Sequence, residues 1–247
     1  AFTKTTLLNP LYPDGFNNLG VTLKNQGKLD AALSALREAL KLKPDYAEAH
    51  NNIGNVFSEK GDAYAAAEAY GKALIYNPKY TEARFNMGVS LLVSNAPENA
   101  ILAFSEVLSE RPDYADAHFY IGNAFKNLGK LQEAIEAYES ALVYEPNYPE
   151  ALNNLGVILF ETNKFNEALV LFDRAIVLNS DYGEAYSNRG NVYKGQGRLD
   201  EAIKSYKKAI SLKPYYIEAY INLGIIFNDQ DCLEEALWAF KQALDIQ

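Results

Sequence analysis

A repeat of 34 residues runs through almost the whole of this 247-residue chain, and it limits the fold more than any other feature. Prolines mark the repeat, with Ser180 filling one slot: Pro10, Pro44, Pro78, Pro112, Pro146 and Pro214. The period predicts a lead-in segment, or the end of a preceding helix, at residues 1–12 and a single array over 13–247. Its seven units are 13–46, 47–80, 81–114, 115–148, 149–182, 183–216 and 217–247. Since a unit this short cannot bury a core alone, the units must stack on their neighbours.

Four positions within the unit, numbered from its first residue, predict its secondary structure. Position 8 is always Gly and position 20 is always Ala, whereas position 24 is always a large side chain such as Leu36 or Tyr70. Small residues let two helix backbones approach closely, and the large residue fills the space beside them. Position 15 is Gly, Asn or Asp, and such residues are typical of a helix end. Each unit is therefore predicted to form two antiparallel helices, A and B, followed by a proline-marked turn.

These residues resemble the tetratricopeptide repeat (TPR), whose period and Gly, Ala, aromatic and Pro signals they match over nearly the whole chain. The resemblance implies an all-α fold, a right-handed superhelix of antiparallel helix pairs, with a concave groove lined by the A helices. The chain departs from the family at position 4, where a Trp is common and His50 and His118 are found in two of the units.

Asparagines recur on one side of the A helices. At about 100° per residue, positions 2, 6, 9 and 13 form a stripe opposite the packed face. Positions 6 and 9 supply the candidate peptide-binding residues: Asn18, Asn52, Asn55, Asn86, Tyr120, Asn123, Asn154, Asn188, Asn191 and Asn222. A carboxamide both donates and accepts hydrogen bonds, so such a row could hold the backbone of an extended peptide with little dependence on its sequence. The row resembles the Asn-lined groove of O-GlcNAc transferase repeat arms. The alternative is a set of solvated residues inherited from an ancestral repeat.

The placement of the asparagines on a groove-facing stripe leads to an expectation about the stability of alanine variants. If the asparagines only face a groove, replacing Asn52, Asn154 and Asn188 together by Ala should weaken binding and leave the thermal stability nearly unchanged.

A second period of two units lies within the first. Position 9 alternates between Val or Ile and Asn, and position 24 alternates between Leu or Phe and Tyr. Duplication of a two-repeat ancestor explains this pattern. The alternative is that the apolar members contact a ligand between the polar groups, together with Phe85 and Phe119. The apolar members at position 9 are Val21, Val89, Val157 and Ile225.

Two further rows accompany the asparagines. Position 34 is always Tyr, as in Tyr46 and Tyr80, and an apolar side chain there can staple the start of helix A. Stacking on a ligand is the alternative. Position 2 is always Asp or Glu, which suits the positive end of the helix dipole. Because position 2 also lies on the stripe, the groove should have an acidic margin and should prefer cationic peptides.

Composition and motifs exclude several functions. A net charge of −9 argues against nucleic-acid and anionic-membrane surfaces, and no apolar run is long enough to span a bilayer. Cys232 is the only cysteine and residues 1–10 lack a secretion signal, which favours a cytoplasmic location. No catalytic residue, cofactor or metal site is predicted, and His50 and His118 are expected to be packed with satisfied hydrogen bonds.

The sequence leaves three functional hypotheses open. The first is a non-catalytic scaffold that binds an extended peptide or protein segment in its groove. The second, from the family resemblance, is the substrate-recruiting arm of a larger enzyme such as a Ser/Thr O-glycosyltransferase. The third is a self-assembling solenoid that associates through Trp238 and an uncapped C-terminal end, as expected for a segment of a longer protein.

Overall fold

The computed structural model describes residues 12–246, and within that range the chain is all-α, as predicted. The described residues form fourteen helices and no strand. The helices are α1 Pro13–Asn25, α2 Leu29–Leu42, α3 Ala47–Glu59, α4 Ala63–Tyr76, α5 Thr81–Val93, α6 Pro97–Glu110, α7 Ala115–Asn127, α8 Leu131–Tyr144, α9 Pro149–Glu161, α10 Phe165–Leu178, α11 Gly183–Gly195, α12 Leu199–Leu212, α13 Ile217–Asp229 and α14 Leu233–Ile246. None of them has the length and apolar character that crossing a membrane would require.

Each odd-numbered helix is an A helix, and it begins at the first residue of a predicted unit. The residue before it is the position-34 Tyr, which takes the N-cap place without a side-chain capping bond. Each A helix is followed by a turn in which position 15 has a positive φ, a conformation that Gly and Asn tolerate best. These residues are Gly27, Gly61, Asn95, Gly129, Asn163, Gly197 and Asp231. The predicted helix ends are therefore confirmed.

The glycine at position 8 decides how closely the two helices of a unit pack. A Cβ atom added at Gly54 would lie 2.5 Å from the ring of Tyr70, and one at Gly88 would lie 2.7 Å from the ring of Phe104. Both aromatic rings are buried, so they could not move aside. The predicted role of positions 8 and 24 is confirmed by this geometry.

The helices form two compact units, of which the first ends at Ala134 and the second begins at Ile135, within α8. In the first unit, side chains from both kinds of helix form the core, including Leu36, Val56 and Phe104. The second unit has a core of the same kind. The sequence-based division into a lead-in segment at 1–12 and a single array over 13–247 stays a prediction, and residues 1–11 lie outside the described part of the chain.

Candidate functional site: the asparagine row

Four of the described position-6 asparagines donate a hydrogen bond to the preceding A helix. In the first compact unit, the Asn52 Nδ2 on α3 donates to the Asn17 Oδ1 on α1 at 2.9 Å. In the second compact unit, the Asn188 Nδ2 donates to the Asn153 Oδ1 at the same distance. The accepting residues occupy position 5 and are buried. The row is thus part of the contact between repeats.

Position-9 asparagines are hydrogen-bonded differently, because they satisfy a buried phenol. The Asn55 Oδ1 accepts from the Tyr70 OH at 2.7 Å and from the Asn86 Nδ2 at 3.5 Å. In the second compact unit, the Asn191 Oδ1 accepts from the Tyr206 OH at 2.7 Å and from the Asn222 Nδ2 at 3.2 Å.

This contact gives the two-repeat period a physical cause. A buried hydroxyl needs an acceptor, and losing it costs about 1–3 kcal/mol. Tyr70 and Tyr206 at position 24 therefore occur with Asn at position 9. Phe104 at position 24 needs no acceptor and occurs with an apolar residue, Val89, at position 9. The alternation reflects internal pairing, and it requires no ligand.

These hydrogen bonds engage the amide nitrogen of Asn52 and the carbonyl oxygen of Asn55, and they leave the other polar atom of each side chain for other partners. The Asn52 Oδ1 accepts no hydrogen bond from the described residues, and the Asn55 Nδ2 donates none to them. Both residues are half-buried on α3, and residues three apart are neighbours on a helix surface. Asn188 and Asn191 repeat this arrangement on α11. We call each acceptor–donor pair, Asn52 with Asn55 and Asn188 with Asn191, a carboxamide pair.

The contact between repeats three and four is aromatic. The Tyr120 ring stacks on Phe104 with centroids 5.6 Å apart and meets Phe85 edge-on at 5.5 Å. Phe119 is only 8% exposed. The expectation that Phe119 contacts a ligand in the groove is therefore wrong, because its ring is taken up by internal packing, and Phe85 is half-buried in the same cluster.

The other candidate residues have varied surroundings. Asn18 is exposed at the start of the described array, and Asn123 and Asn154 are half-buried. Asn222, besides donating to Asn191, accepts from the Lys194 Nζ at 3.0 Å. The four apolar residues at position 9 are all half-buried. Their role in ligand contact stays a prediction.

Position 5 was missed by the sequence analysis. It lies beside the stripe on a helical wheel, yet Asn17, Asn51 and Asn153 are 7%, 1% and 5% exposed. Asn51 differs from the other two, because its Oδ1 has no hydrogen-bond partner among the described residues. The available signal was an asparagine at position 5 followed by one at position 6 of the next repeat, as for Asn17 with Asn52 and Asn153 with Asn188.

Burial of position 5 also changes the expected effect of alanine substitutions. Replacing Asn52 or Asn188 by Ala removes the donor to a buried carbonyl oxygen. Such a loss costs about 1–3 kcal/mol. The expectation of nearly unchanged stability is therefore revised for these two residues.

The position-34 tyrosine Tyr46 packs between the A helices α1 and α3. Tyr46 is 9% exposed, lies against Ala39 and Ala49, and its OH donates to the Asp14 Oδ1 at 2.6 Å. Burial raises the pKa of Tyr46, and the hydrogen bond to Asp14 raises it further. The predicted structural role is confirmed for this residue.

The acidic margin is uneven in the first compact unit. Asp14 is engaged by Tyr46, whereas Glu48 and Glu82 are exposed and form no ion pair with the described residues. Burial raises the pKa of Tyr80, and the charges of Glu82 and Glu48 raise it further. Two carboxylates thus remain open to solvent beside the asparagines of α3 and α5.

The contacts of His50 and Trp238 do not involve the carboxamide pairs. The His50 Nε2 is 3.0 Å from the Pro44 oxygen, and its ring stacks on Tyr76 at 5.4 Å. The hydrogen bonding of His50 is thus satisfied, as predicted. The side chain is half-buried beside the turn between repeats, however, and not within the core. Trp238 is 51% exposed and meets Tyr220 edge-on. Residues 12–246 contain no cluster of side chains suited to a metal ion.

Comparisons with known proteins identify the same repeat that the sequence and the helices show. A family model described as TPR repeat matches residues 23–61, 122–163, 156–197 and 190–231. A second, described as Tetratricopeptide repeat, matches 52–115 and 97–142. A comparison with curated proteins gave no match.

Several solved structures are similar to this chain. MamA is 31% identical with a TM-score of 0.58, over 65% of this chain and 94% of MamA. YrrB, described as a TPR protein with an unusual peptide-binding site, is 25% identical with a TM-score of 0.63, over 75% of this chain and 95% of YrrB. A tetratricopeptide repeat protein from Parabacteroides merdae is 18% identical with a TM-score of 0.77, over 95% and 93%. The similarity to the Parabacteroides merdae protein supports the fold alone. Together with the repeat geometry, the family matches show that the chain belongs to the tetratricopeptide-repeat family.

Proposed function

We propose that this protein is a non-catalytic scaffold that binds an extended peptide along its A helices, mainly through the peptide backbone. The observation that carries the proposal is the carboxamide pair. Internal bonds engage the nitrogen of Asn52 and the oxygen of Asn55, so the opposite atoms of these side chains are left to meet a ligand. The similarity to YrrB, whose structure is described as having a peptide-binding site, supports the same class of function.

The carboxamide pair matches the hydrogen-bonding groups of one extended residue. In an antiparallel sheet, a residue exchanges both an N–H and a C=O bond with its neighbour on the next strand. The Asn52 oxygen would accept from the ligand N–H, and the Asn55 amide would donate to the ligand C=O. Side chains that are three residues apart on a helix have Cβ atoms about 5–6 Å apart, a spacing that suits this exchange.

The open carboxylates favour a cationic ligand. Glu48 and Glu82 lie on the same helices as Asn52 and Asn86, in the first helical turn. Ion pairs at exposed sites contribute only about 0–1 kcal/mol each. Charge would therefore select among peptides, while hydrogen bonds to the peptide backbone supply the part of the affinity that does not depend on sequence.

A short fluorescein-labelled peptide of alternating Ser and Lys tests the proposal by fluorescence anisotropy. Binding is expected, and N-methylation of the peptide backbone should abolish most of it because the N–H donors are lost. A Ser–Glu peptide should bind more weakly.

A protein variant tests the same contact by removing the NH₂ donors of Asn55 and Asn191. Their tyrosine partners are replaced at the same time, so that no buried hydroxyl is left without an acceptor. Asn55→Val with Tyr70→Phe recreates the natural pair of Val89 and Phe104, and the equivalent change is made at Asn191 and Tyr206. Affinity for the Ser–Lys peptide should fall about five- to tenfold, since a net hydrogen bond contributes about 1 kcal/mol. Asn99→Ala, at an exposed position on α6, is the control and should not change affinity. Unchanged affinity in the first variant, or equal binding of the N-methylated peptide, would refute the proposal.

Self-association is a second candidate, and a separate observation favours it. The last repeat exposes Leu233, Leu237 and Leu244, and a cleft of about 240 Å³ lies between α13 and α14 against Phe240. Trp238 is half-exposed in the same repeat. Exposed apolar groups of this kind often mark interfaces. Sedimentation velocity should show a concentration-dependent dimer that Trp238→Ala and Leu244→Glu weaken. A monomer at all concentrations, unaffected by either substitution, would exclude it.

A further inference from the structure

The orientation of a carboxamide decides whether it offers a donor or an acceptor, and in this protein a buried tyrosine sets it. Tyr70 is 2% exposed, and the Asn55 Oδ1 is the acceptor for its hydroxyl proton. Tyr206 is fully buried and donates to the Asn191 Oδ1 in the same way. If either carboxamide turned over, the NH₂ group would face the phenol and the hydroxyl proton would be left without that acceptor. A buried donor without an acceptor is strongly disfavoured.

A second hydrogen bond supports the same orientation. The oxygen of Asn55 also receives the Asn86 amide, and the oxygen of Asn191 receives the Asn222 amide. Both lone pairs of each oxygen are therefore used, and a reversed carboxamide would bring two NH₂ groups together. The NH₂ group of Asn55 and that of Asn191 are left as the outward-facing donors.

We propose that Tyr70 and Tyr206 are positioning residues for peptide binding, which fix the carboxamides of Asn55 and Asn191 with their NH₂ groups turned towards the ligand. The inference rests on the proposed function. In that function the ligand carbonyl is bound at position 9 and the ligand N–H at position 6. Since an extended chain presents these groups in a fixed order, the tyrosines also fix the direction in which the peptide lies along each carboxamide pair.

Only the repeats with Tyr at position 24 offer this donor. In the third repeat, Phe104 occupies the place of Tyr70 and Val89 occupies the place of Asn55. Asparagine therefore recurs at position 9 of every second repeat, and the described hydrogen bonds establish the outward donor in the second and sixth repeats.

The substitution Tyr70→Phe, made together with Tyr206→Phe, tests the inference. Phe fits beside the position-8 glycine, because Gly88 and Phe104 already show that packing. The hydroxyl is lost, so only the Asn86 and Asn222 amides still favour the original orientation, and up to about half of the molecules present the wrong group. Affinity for the Ser–Lys peptide should fall by up to about twofold, because the population of the binding-competent state is reduced.

The reference is the four-residue variant described above, which combines Asn55→Val and Tyr70→Phe with Asn191→Val and Tyr206→Phe. If it weakens binding and the tyrosine substitutions alone do not, the positioning role is refuted while the proposed function stands. If it leaves binding unchanged, the proposed function itself fails. If the tyrosine substitutions alone weaken binding as much as the full replacement, Tyr70 and Tyr206 do more than orient the asparagines, and the inference is overturned as stated.

NMR supplies a readout that does not depend on any ligand. The side-chain NH₂ signals of Asn55 and Asn191 are assigned in ¹⁵N spectra by their loss in the four-residue variant. We expect high heteronuclear NOE values for both groups in the wild type and low values after Tyr70→Phe and Tyr206→Phe, because the carboxamides become mobile. Equal values in the two proteins would overturn the inference. The NOE values of Asn99, which has no tyrosine partner, should not change.

Discussion

The hydrogen bond between Asn52 and Asn17 makes the most direct prediction about the asparagine row. Asn52→Ala removes the donor and leaves the Asn17 Oδ1, on a residue 7% exposed, without a partner. The lost bond and the unsatisfied oxygen together cost about 1–3 kcal/mol. Alanine is the better helix former by about 0.5 kcal/mol, which offsets part of the cost. The expected net loss of unfolding free energy is about 0.5–2.5 kcal/mol.

Urea denaturation followed by circular dichroism measures this loss, with Asn99→Ala as the matched control. Asn99 is exposed in the first turn of α6, so its replacement removes an asparagine from a helix and loses no buried bond. Because repeat arrays can unfold in stages, hydrogen exchange of the α1 and α3 amides should show that the loss begins there.

A double-mutant cycle isolates the pair. Asn17→Ala combined with Asn52→Ala should cost less than the sum of the single substitutions by about 1 kcal/mol, since the second change removes a group already left unpaired. The same result is expected for Asn153 and Asn188 in the second compact unit. If Asn52→Ala destabilises the protein no more than Asn99→Ala, or if the two asparagines show additive effects, the bond does not stabilise the contact between repeats.

Three further predictions concern the fold. Gly54→Ala should destabilise the protein by about 2 kcal/mol or more, because the added Cβ would lie 2.5 Å from the buried Tyr70 ring, and wild-type stability in urea would contradict this. Gly61→Ala should cost about 1–2 kcal/mol through its φ of 78° alone, since a Cβ there meets nothing within 4 Å, and an unchanged melting temperature would disprove the strain. Burial raises the pKa of Tyr138 to about 12, so the folded state keeps a proton that an unfolded chain releases near pH 10. Stability should therefore be full below pH 10 and fall as the pH rises towards 12, and the difference in alkaline absorbance between the wild type and Tyr138→Phe should show Tyr138 ionising only as helix content is lost.

The sequence determined the repeat, the helices and the positions of close packing. Glycine at position 8 and a large residue at position 24 are local requirements that recur in each unit, so one period reveals them all. The positive φ at position 15 was equally accessible, because Gly, Asn and Asp are the residues that tolerate it.

The tertiary structure alone decided what the asparagines do. A helical wheel places positions 6 and 9 on one stripe but contains no information about the neighbouring helix. Only the stacked repeats bring Asn52 to Asn17 and Tyr70 to Asn55, residues 35 and 15 positions apart in the chain. The physical reason is that a carboxamide has a donor end and an acceptor end, and only the contacts between helices decide which end of Asn52, Asn55, Asn188 and Asn191 is engaged.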